Sequence, residues 1–546
     1  MEDILNGKAN SNGIHQEHDS SWVPVVEQPL FQPRRLKVIC IGAGVSGLMV
    51  SYKHKYAPAV ADYMDLIIYE KNHDVGGTWL NNTFPGVGCD VPAHIYTFPF
   101  APNPNWSRFY VPGAEVWQYI KDTTSKYGLD ETVRFNSKII EAIWNNTDGK
   151  WDIKIEANGE IISDRADVLI NSSGLLSRHR WPDIKGLESF QGKLTHSAAW
   201  DPELTWEGKR VAIIGNGASG IQILPQMPLH LTKSGRNFKY TEEEKQEFRD
   251  NPAKLTEVRK QIEHAFNSFY YALFKDSPAH KDIAAAVKKQ MEDWLNRDPE
   301  LCRKLIPEYD VGCRRLTPGE SYLEALQEDN VSMQFGEILE ITPTGIPTKG
   351  GIEEFHVIVC ATGFDLSFRP PWIQVGKNGT DLATLWADEP ESYMAICVPD
   401  MPNFFMFLGP GSPVGQGSTF AVLDCASDYV FRWIRKIATQ GIKSASVSYS
   451  TVHDYNVYSQ EILKRLVWSL HCRTWYKASR TDPSKVTSLY AGSVLHFREM
   501  LEEIRGEEFE IEYRSKNRFS FMGNGMTTYE VKDGIGKVDL AYYMRL

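Results

Sequence analysis

One pattern occurs twice in this chain and restricts the folds open to it. An apolar, β-branched run breaks at GxGxxG and continues with helical spacing. The first copy is Leu36–Ile41 followed by Gly42-Ala43-Gly44-Val45-Ser46-Gly47, and the second is 210–214 followed by Gly215-Asn216-Gly217-Ala218-Ser219-Gly220. A strand that turns through such a glycine cluster into a helix is the signature of a dinucleotide-binding βαβ unit. Further short apolar runs at 66–69, 168–170 and 357–360 supply more strands. The last two lead into Ser172-Ser173-Gly174 and Ala361-Thr362-Gly363. Strands alternating with helices predict parallel sheets, so the fold class is α/β, with two doubly wound dinucleotide-binding domains, which 546 residues have room for. From 240 to 305 the composition shifts to Glu, Lys, Gln and Ala, with Leu255, Val258, Ile262 and Phe266 three and four residues apart. That spacing predicts a helical insertion, either an amphipathic pair packed on the second domain or a mobile cover over a substrate.

The glycines have separate tasks. Gly42 makes the tight turn, Gly44 lets a pyrophosphate approach the backbone, and Gly47 lets the helix pack on the strand. One GxGxxG alone is a weak signal, but Glu70 ends the next apolar run, 23 positions after Gly47. An acid there accepts ribose hydroxyl hydrogen bonds and repels a 2'-phosphate, which suits FAD or NAD, and the first site is assigned to FAD. The second copy, Gly215 to Gly220, then takes the nicotinamide nucleotide that must reduce the flavin. Its helix meets Pro225 and Pro228 within two turns, and the apolar run 229–232 is followed by Lys233-Ser234-Gly235-Arg236-Asn237, without an acid. Lys233 and Arg236 either grip a 2'-phosphate, which favours NADPH, or are plain solvated charges.

Charge and composition narrow the partners. A formal net charge of -11 disfavours nucleic acid and anionic lipid. The eight cysteines (Cys40, Cys89, Cys302, Cys313, Cys360, Cys397, Cys425, Cys472) form no CxxC pair and no metal-like spacing, so they read as reduced, buried thiols and no metal is expected. The polar start, with His15, Glu17, His18 and Asp19, lacks the apolar stretch of a signal peptide, and no run is long enough to span a membrane. The cytosol is the expected compartment.

Two further segments carry a family resemblance. Phe190-Gln191-Gly192-Lys193-Leu194-Thr195-His196-Ser197-Ala198-Ala199-Trp200-Asp201 resembles the FxGxxxHxxxW(P/D) fingerprint of the Baeyer-Villiger monooxygenases at every fixed position. Gly76-Gly77-Thr78-Trp79 through Phe84-Pro85-Gly86 to Asp90 resembles that family's other fingerprint. The likeness runs from about Lys37 to about Phe497, and Val91-Pro92-Ala93-His94 and the stretch 519–525 look like fungal members in particular.

The resemblance implies the rest. Gly77, Thr78, Trp79, Asn81, Asp90, Val91 and Tyr96 fall where the family contacts FAD, and Gly88, Cys89 and Asp90 border the nicotinamide. Asn216, Gly217, Ala218 and Ser219 would line the NADP loop, and Trp475 resembles a tryptophan that touches the nicotinamide. Arg315 falls on the family's active-site arginine, with Asp90 as its charge-assisted anchor. Such a cation suits oxygen insertion beside a ketone carbonyl, since negative charge develops on oxygen and arginine keeps its proton at working pH. His196 is the tempting general base, but its place on the link between the two nucleotide parts suits a structural hydrogen bond better.

The implied organisation is a polar flexible tail (1–34), a FAD-binding domain (35–185 and 341–505), an NADP-binding domain (186–340) containing the insertion, and a C-terminal extension (506–546). Large ketones of fungal secondary metabolism are the implied substrates, with dioxygen. The chain departs from the family after the second glycine motif, where His230-Leu231-Thr232 runs almost directly into Asn237-Phe238-Lys239-Tyr240 as though some twenty residues were absent. Two alternatives therefore stay open: oxidation at nitrogen or sulfur, and a flavoprotein impaired in its NADP region that acts as a scaffold.

Overall fold

The structure is a computed structural model and describes residues 20–227, 237–534 and 537–544. Along the first half run β1 (Leu36–Ile41), α1 (Val45–Tyr56), β2 (Met64–Tyr69), α2 (Thr78–Asn81), α3 (Gly113–Tyr127), β3 (Val133–Arg134), β4 (Ser137–Asn145), β5 (Lys150–Ala157), β6 (Glu160–Ala166) and β7 (Val168–Asn171). There follow β8 (Lys193–His196), β9 (Val211–Ile214), α4 (Ala218–Ile223), α5 (Glu242–Asp250), α6 (Pro252–Ser268), α7 (Pro278–Trp294) and α8 (Pro299–Leu305). The remaining strands used below are β10 (Gly345–Thr348), β11 (Gly351–Glu354), β12 (Val357–Cys360), β13 (Ile373–Val375) and β14 (Phe404–Met406).

From Val38 onward β1 is apolar on both faces because it lies inside a five-stranded parallel sheet of order β14-β7-β1-β2-β3, where water reaches neither face. Val38 pairs with Leu66 on one side and with Val168 on the other. A second sheet, β13-β4-β5-β6, covers this one. Trp144, Trp151 and Ile153 share a core with Ile39, Ile41 and Leu169. The sequence reading did not anticipate that meander. β10 and β11 form a hairpin ahead of β12.

The second glycine motif opens from a parallel sheet of order β8-β12-β9, three strands among the described residues. Among the described residues β9 is an edge strand of this sheet, and it is half-buried throughout, unlike β1. The expected strand at 229–232 lies outside the described residues. The chain enters this region after Arg180 and leaves it after β12, at Gly363, where Arg180 N donates to Gly363 O at 3.0 Å. Ile341 N donates to Lys185 O at 2.8 Å, and a Cβ on Gly186 would meet Ile341 O at 2.1 Å.

Two expectations need correction. The insertion is four helices rather than a pair on the second domain. Tyr240, ahead of α5, and Phe248 of α5 pack around His94, and Arg259 of α6 donates to the His94 carbonyl at 3.0 Å. The short turn after α6 buries Leu273 against Leu463, Trp468 and Tyr476. Only α7 and α8 pack toward 323–326, through Trp294, Leu295 and Leu301. The reason is that apolar residues lie on more than one side of this stretch, so the helices fill several grooves. Residues 20–34 of the expected tail are likewise held by contacts. Residues 20–34 belong with 435–445 and 511–546 to a small unit distinct from the large one (35–434 and 446–510). Leu30 N donates to Met526 O at 2.6 Å, and Phe31 stacks on Phe521 with centroids 5.4 Å apart. Apolar anchors in a polar stretch hold it there.

Candidate active site

The two glycine loops repeat each other's geometry. Gly42 and Gly215 have φ of 103° and 112°, and a Cβ on either would strike the carbonyl of Ser172 (2.8 Å) or Ala361 (2.4 Å). A Cβ on Gly47 would sit 2.0 Å from Gly42 O, and one on Gly220 2.3 Å from Gly215 O. These four positions are closed by the protein itself. The middle glycines differ in kind: a Cβ on Gly217 would meet nothing within 4 Å, and one on Gly44 only the Gly77 backbone, at 3.5 Å (Cα) and 3.9 Å (N). Space kept clear of side chain beside a backbone turn fits a pyrophosphate, so both loops suit a dinucleotide.

Glu70 directly follows β2 beside the first loop and is buried. Its Oε2 accepts from Ala43 N at 2.7 Å, and its Oε1 accepts from Asn72 N (2.8 Å) and Nδ2 (2.7 Å). A carboxylate has about four acceptor positions, so one remains for a ribose hydroxyl. Gly76 N donates to Ala43 O at 3.2 Å, which lays the second fingerprint across this loop and starts α2 at Thr78. Thr78 and Asn81 are exposed, whereas Trp79 turns inward and donates from Nε1 to the Tyr96 hydroxyl at 3.2 Å. Val91 is buried.

Arg315 and Asp90, 225 positions apart, form a two-pronged pair: Nε donates to Oδ2 at 2.6 Å and Nη2 to Oδ1 at 2.8 Å. Nη1 donates to Val414 O at 3.0 Å. Three of the five guanidinium N–H donors are thereby fixed, and the side chain keeps 31% of its surface exposed. Burial alone would lower the Arg315 pKa, but the charge and hydrogen bonds of Asp90 outweigh it and push the value up. Burial also raises Cys89, Tyr96, Tyr110 and Tyr476 around the pair, so their phenols and thiol stay neutral. Trp475 packs on Tyr476 with centroids 4.7 Å apart.

The other fingerprint meets the first in an apolar cluster that holds Trp200, Phe84, Ile223 and Val359. Phe190, two residues before Gly192, is buried with Ile341, Ile358 and Cys360. His196 is fully buried at the end of β8. Its Nδ1 accepts from Ala198 N at 3.1 Å, and its Nε2 is 3.3 Å from the Thr362 hydroxyl. Burial, and then the neighbouring His179, lower its pKa to about 4, so the ring is neutral.

Asn216 and Ala218 are exposed and Ser219 half-buried, while Lys233 and Arg236 lie outside the described residues. Sequence reasoning missed Gln222, which clasps Gly88 in both directions, with Nε2 to Gly88 O at 3.0 Å and Gly88 N to Oε1 at 3.3 Å. It also missed Asn237, which does the same to Tyr110 at 2.7 and 2.8 Å. Nothing in the composition around either amide marks it.

The cysteine expectation is corrected at one pair. Cys313 and Cys472 are joined in a disulfide, their Cα atoms 6.4 Å apart, and tie the Arg315 loop to the segment of Trp475. A separation of 159 residues hid this from spacing rules. Cys40, Cys89, Cys302, Cys360, Cys397 and Cys425 are free, all buried except the half-buried Cys302. Among the described residues no three His, Cys, Asp or Glu side chains gather as a metal site, and no helix is long and apolar enough to cross a membrane.

Residues 35–233 match the family described as flavin-binding monooxygenase-like. The FAD-binding monooxygenase tazF of Aspergillus terreus is 46% identical over 97% of this chain and 98% of its own length. The FAD-binding monooxygenase stcW of Emericella nidulans is 36% identical over 92% of this chain and 87% of its own. Among solved structures, the closed form of cyclohexanone monooxygenase superposes with a TM-score of 0.73 at 22% identity, covering 88% of this chain and all of that one. A steroid monooxygenase bound to NADP gives 0.73 at 24% over the same shares of the two chains. These structures share the α/β architecture of paired dinucleotide-binding domains seen here. With the two glycine loops, both fingerprints and full-length likeness to the fungal enzymes in agreement, the chain belongs to the flavin-binding monooxygenase family.

Proposed function

We propose that this chain is a FAD-dependent, NADPH-consuming monooxygenase that inserts one atom of dioxygen beside a ketone carbonyl, giving an ester or lactone. The observation that carries the reading is the Arg315–Asp90 pair, a permanent cation locked in orientation with two N–H donors left over. The first loop with Glu70 would hold FAD, and the second, Gly215 to Gly220, the nicotinamide nucleotide. Bound FAD, reduced by NADPH, supplies the activation of dioxygen.

The chain's own groups do the rest. Arg315 stabilises negative charge as it develops on the reacting oxygen atoms, through donors set in a fixed fork. Asp90 fixes that fork. The neutral Tyr96, Tyr110, Tyr476 and Cys89 add no second anion to compete for the arginine. His196, neutral and bonded within the link, moves no proton. The relatives' names support FAD, and the steroid monooxygenase bound to NADP supports the second cofactor. A large ketone of fungal secondary metabolism is the proposed substrate class, with the fungal relatives as support.

The test is incubation with a cyclic ketone and an organic sulfide under labelled dioxygen, alongside Arg315→Ala. Labelled ester from the native protein, lost in the variant while FAD is retained, is the expected result. Sulfoxide without ester would replace this reading with heteroatom oxidation. Absence of anaerobic flavin bleaching by NADPH would replace it with the scaffold.

A further inference from the structure

Asp90 sits in a bed of two antiparallel segments. Cys89 N donates to Val111 O at 3.0 Å, and Gly88 bridges Pro112, so 88–89 run beside 111–112. Tyr110, next along, lies close enough to Asp90 for the carboxylate to help raise its phenol. Each segment of the bed is gripped by a side-chain amide that comes from the second nucleotide region. Gln222, on α4, holds both backbone polar groups of Gly88, two residues from Asp90. Asn237 holds both backbone polar groups of Tyr110. A reciprocal clasp of this sort fixes position and rotation together, because one amide satisfies a donor and an acceptor at once. The fit at Gly86 is equally close, since a Cβ there would lie 2.3 Å from Gln222 O.

We infer that Gln222 and Asn237 are positioning residues that dock the second nucleotide region onto the bed of Asp90 and so set the orientation of Arg315. The inference rests on the proposed oxygen-insertion role of Arg315 and adds what aligns it. Gln222 comes before the shortened stretch and Asn237 after it, so the flanks of that stretch are anchored to the same strand pair. The two amides give the docked region a fixed register on the arginine's anchor.

The test uses the full-length flavin-loaded protein and the near-isosteric variants Gln222→Met and Asn237→Leu, with Gln222→Glu as partial rescue because it keeps an acceptor for Gly88 N–H. The first readout needs no turnover. Amide hydrogen exchange in peptides covering Gly88 and Tyr110 should speed up about tenfold for each clasp removed, as for loss of one to two net hydrogen bonds. The second is the yield of oxygenated product per NADPH consumed, expected to fall about tenfold in Gln222→Met, with flavin content and the KM for NADPH near native and Gln222→Glu intermediate. Native exchange and native product yield in both near-isosteric variants would overturn the inference. Faster exchange with unchanged product yield would also overturn it, by making the clasps structural only. If the native protein makes no ester from NADPH and a ketone, the proposed function falls instead, and the exchange result still reports whether the docking clasps exist.

Discussion

Replacing Asp90 by Asn isolates the electrostatics of the site with almost no change of shape. The carboxylate accepts at 2.6 and 2.8 Å from Nε and Nη2 of Arg315. An asparagine keeps one carbonyl oxygen and turns an NH2 group toward the other guanidinium N–H. One charge-assisted bond of about 1.5–3 kcal/mol is lost, and the remaining contact sets donor against donor. Arg315 then retains Val414 O and a single bond to residue 90, too few to hold the fork against rotation. Misplacing a donor that stabilises an oxyanion costs about 3–4 kcal/mol at the transition state, a fall in turnover of roughly 10²–10³-fold. The assay is ester formation from a cyclic ketone under saturating NADPH, normalised to bound flavin, with anaerobic flavin reduction measured alongside. Reduction should stay within about threefold of native while ester formation collapses. Ester turnover within about threefold of native in fully flavin-loaded Asp90→Asn would refute the assignment of Arg315 orientation to Asp90.

Burial, the disulfide and the glycine contacts decide four other outcomes. His94 and His196 are both depressed from 6.5 to about 4, chiefly by burial, so the unfolded chain binds the extra protons. Their contribution, at most about 3 kcal/mol each, is whole above pH 6.5 and drains away as the pH falls toward 4, and a thermal midpoint flat across that window would contradict it. Denatured, unreduced protein should alkylate at the six free cysteines and take two more labels only after a dithiol, and eight labels at the outset would disprove the Cys313–Cys472 bond. Severing that bond by Cys313→Ser frees a loop of 159 residues and costs up to about 5 kcal/mol in the chain-entropy account, read by denaturant titration. Gly217→Ala should fold normally and weaken NADPH binding, whereas Gly47→Ala, driven against Gly42 O at 2.0 Å, should fail to accumulate as folded holoprotein. Equal solubility of the two variants would undo the distinction between space kept for a ligand and space closed by the chain.

The parts legible from sequence were those where local pattern and tertiary environment agree. β1 and β12 have the extents of their apolar runs because central parallel strands need unbroken hydrophobicity, and the glycine turns announce themselves through the contacts that forbid a Cβ. The resemblance pointed to Arg315 and Asp90, which spacing alone would not have singled out as a pair across 225 positions. What stayed hidden depends on three-dimensional proximity without a local signature. The Gln222 and Asn237 clasps, the Cys313–Cys472 bond and the anchoring of Leu30 and Phe31 on 521–526 all join distant, ordinary-looking residues. The meander β4 to β6 was missed for another reason: its strands lack the unbroken apolar run that marks β1 and β12, since β5 alternates charged residues facing water with apolar residues facing the core.

The junction at Arg180 and Gly363 has an engineering consequence. Because the stretch between them begins and ends at neighbouring backbone positions, it is a cassette whose two seams lie a single hydrogen bond apart. Exchanging 181–362, which carries all three strands β8, β12 and β9, for the corresponding stretch of a relative with a longer nucleotide region would leave the five-stranded sheet and its glycine loop untouched. Coenzyme preference would then become a property that can be transplanted without redesigning the flavin side of the molecule.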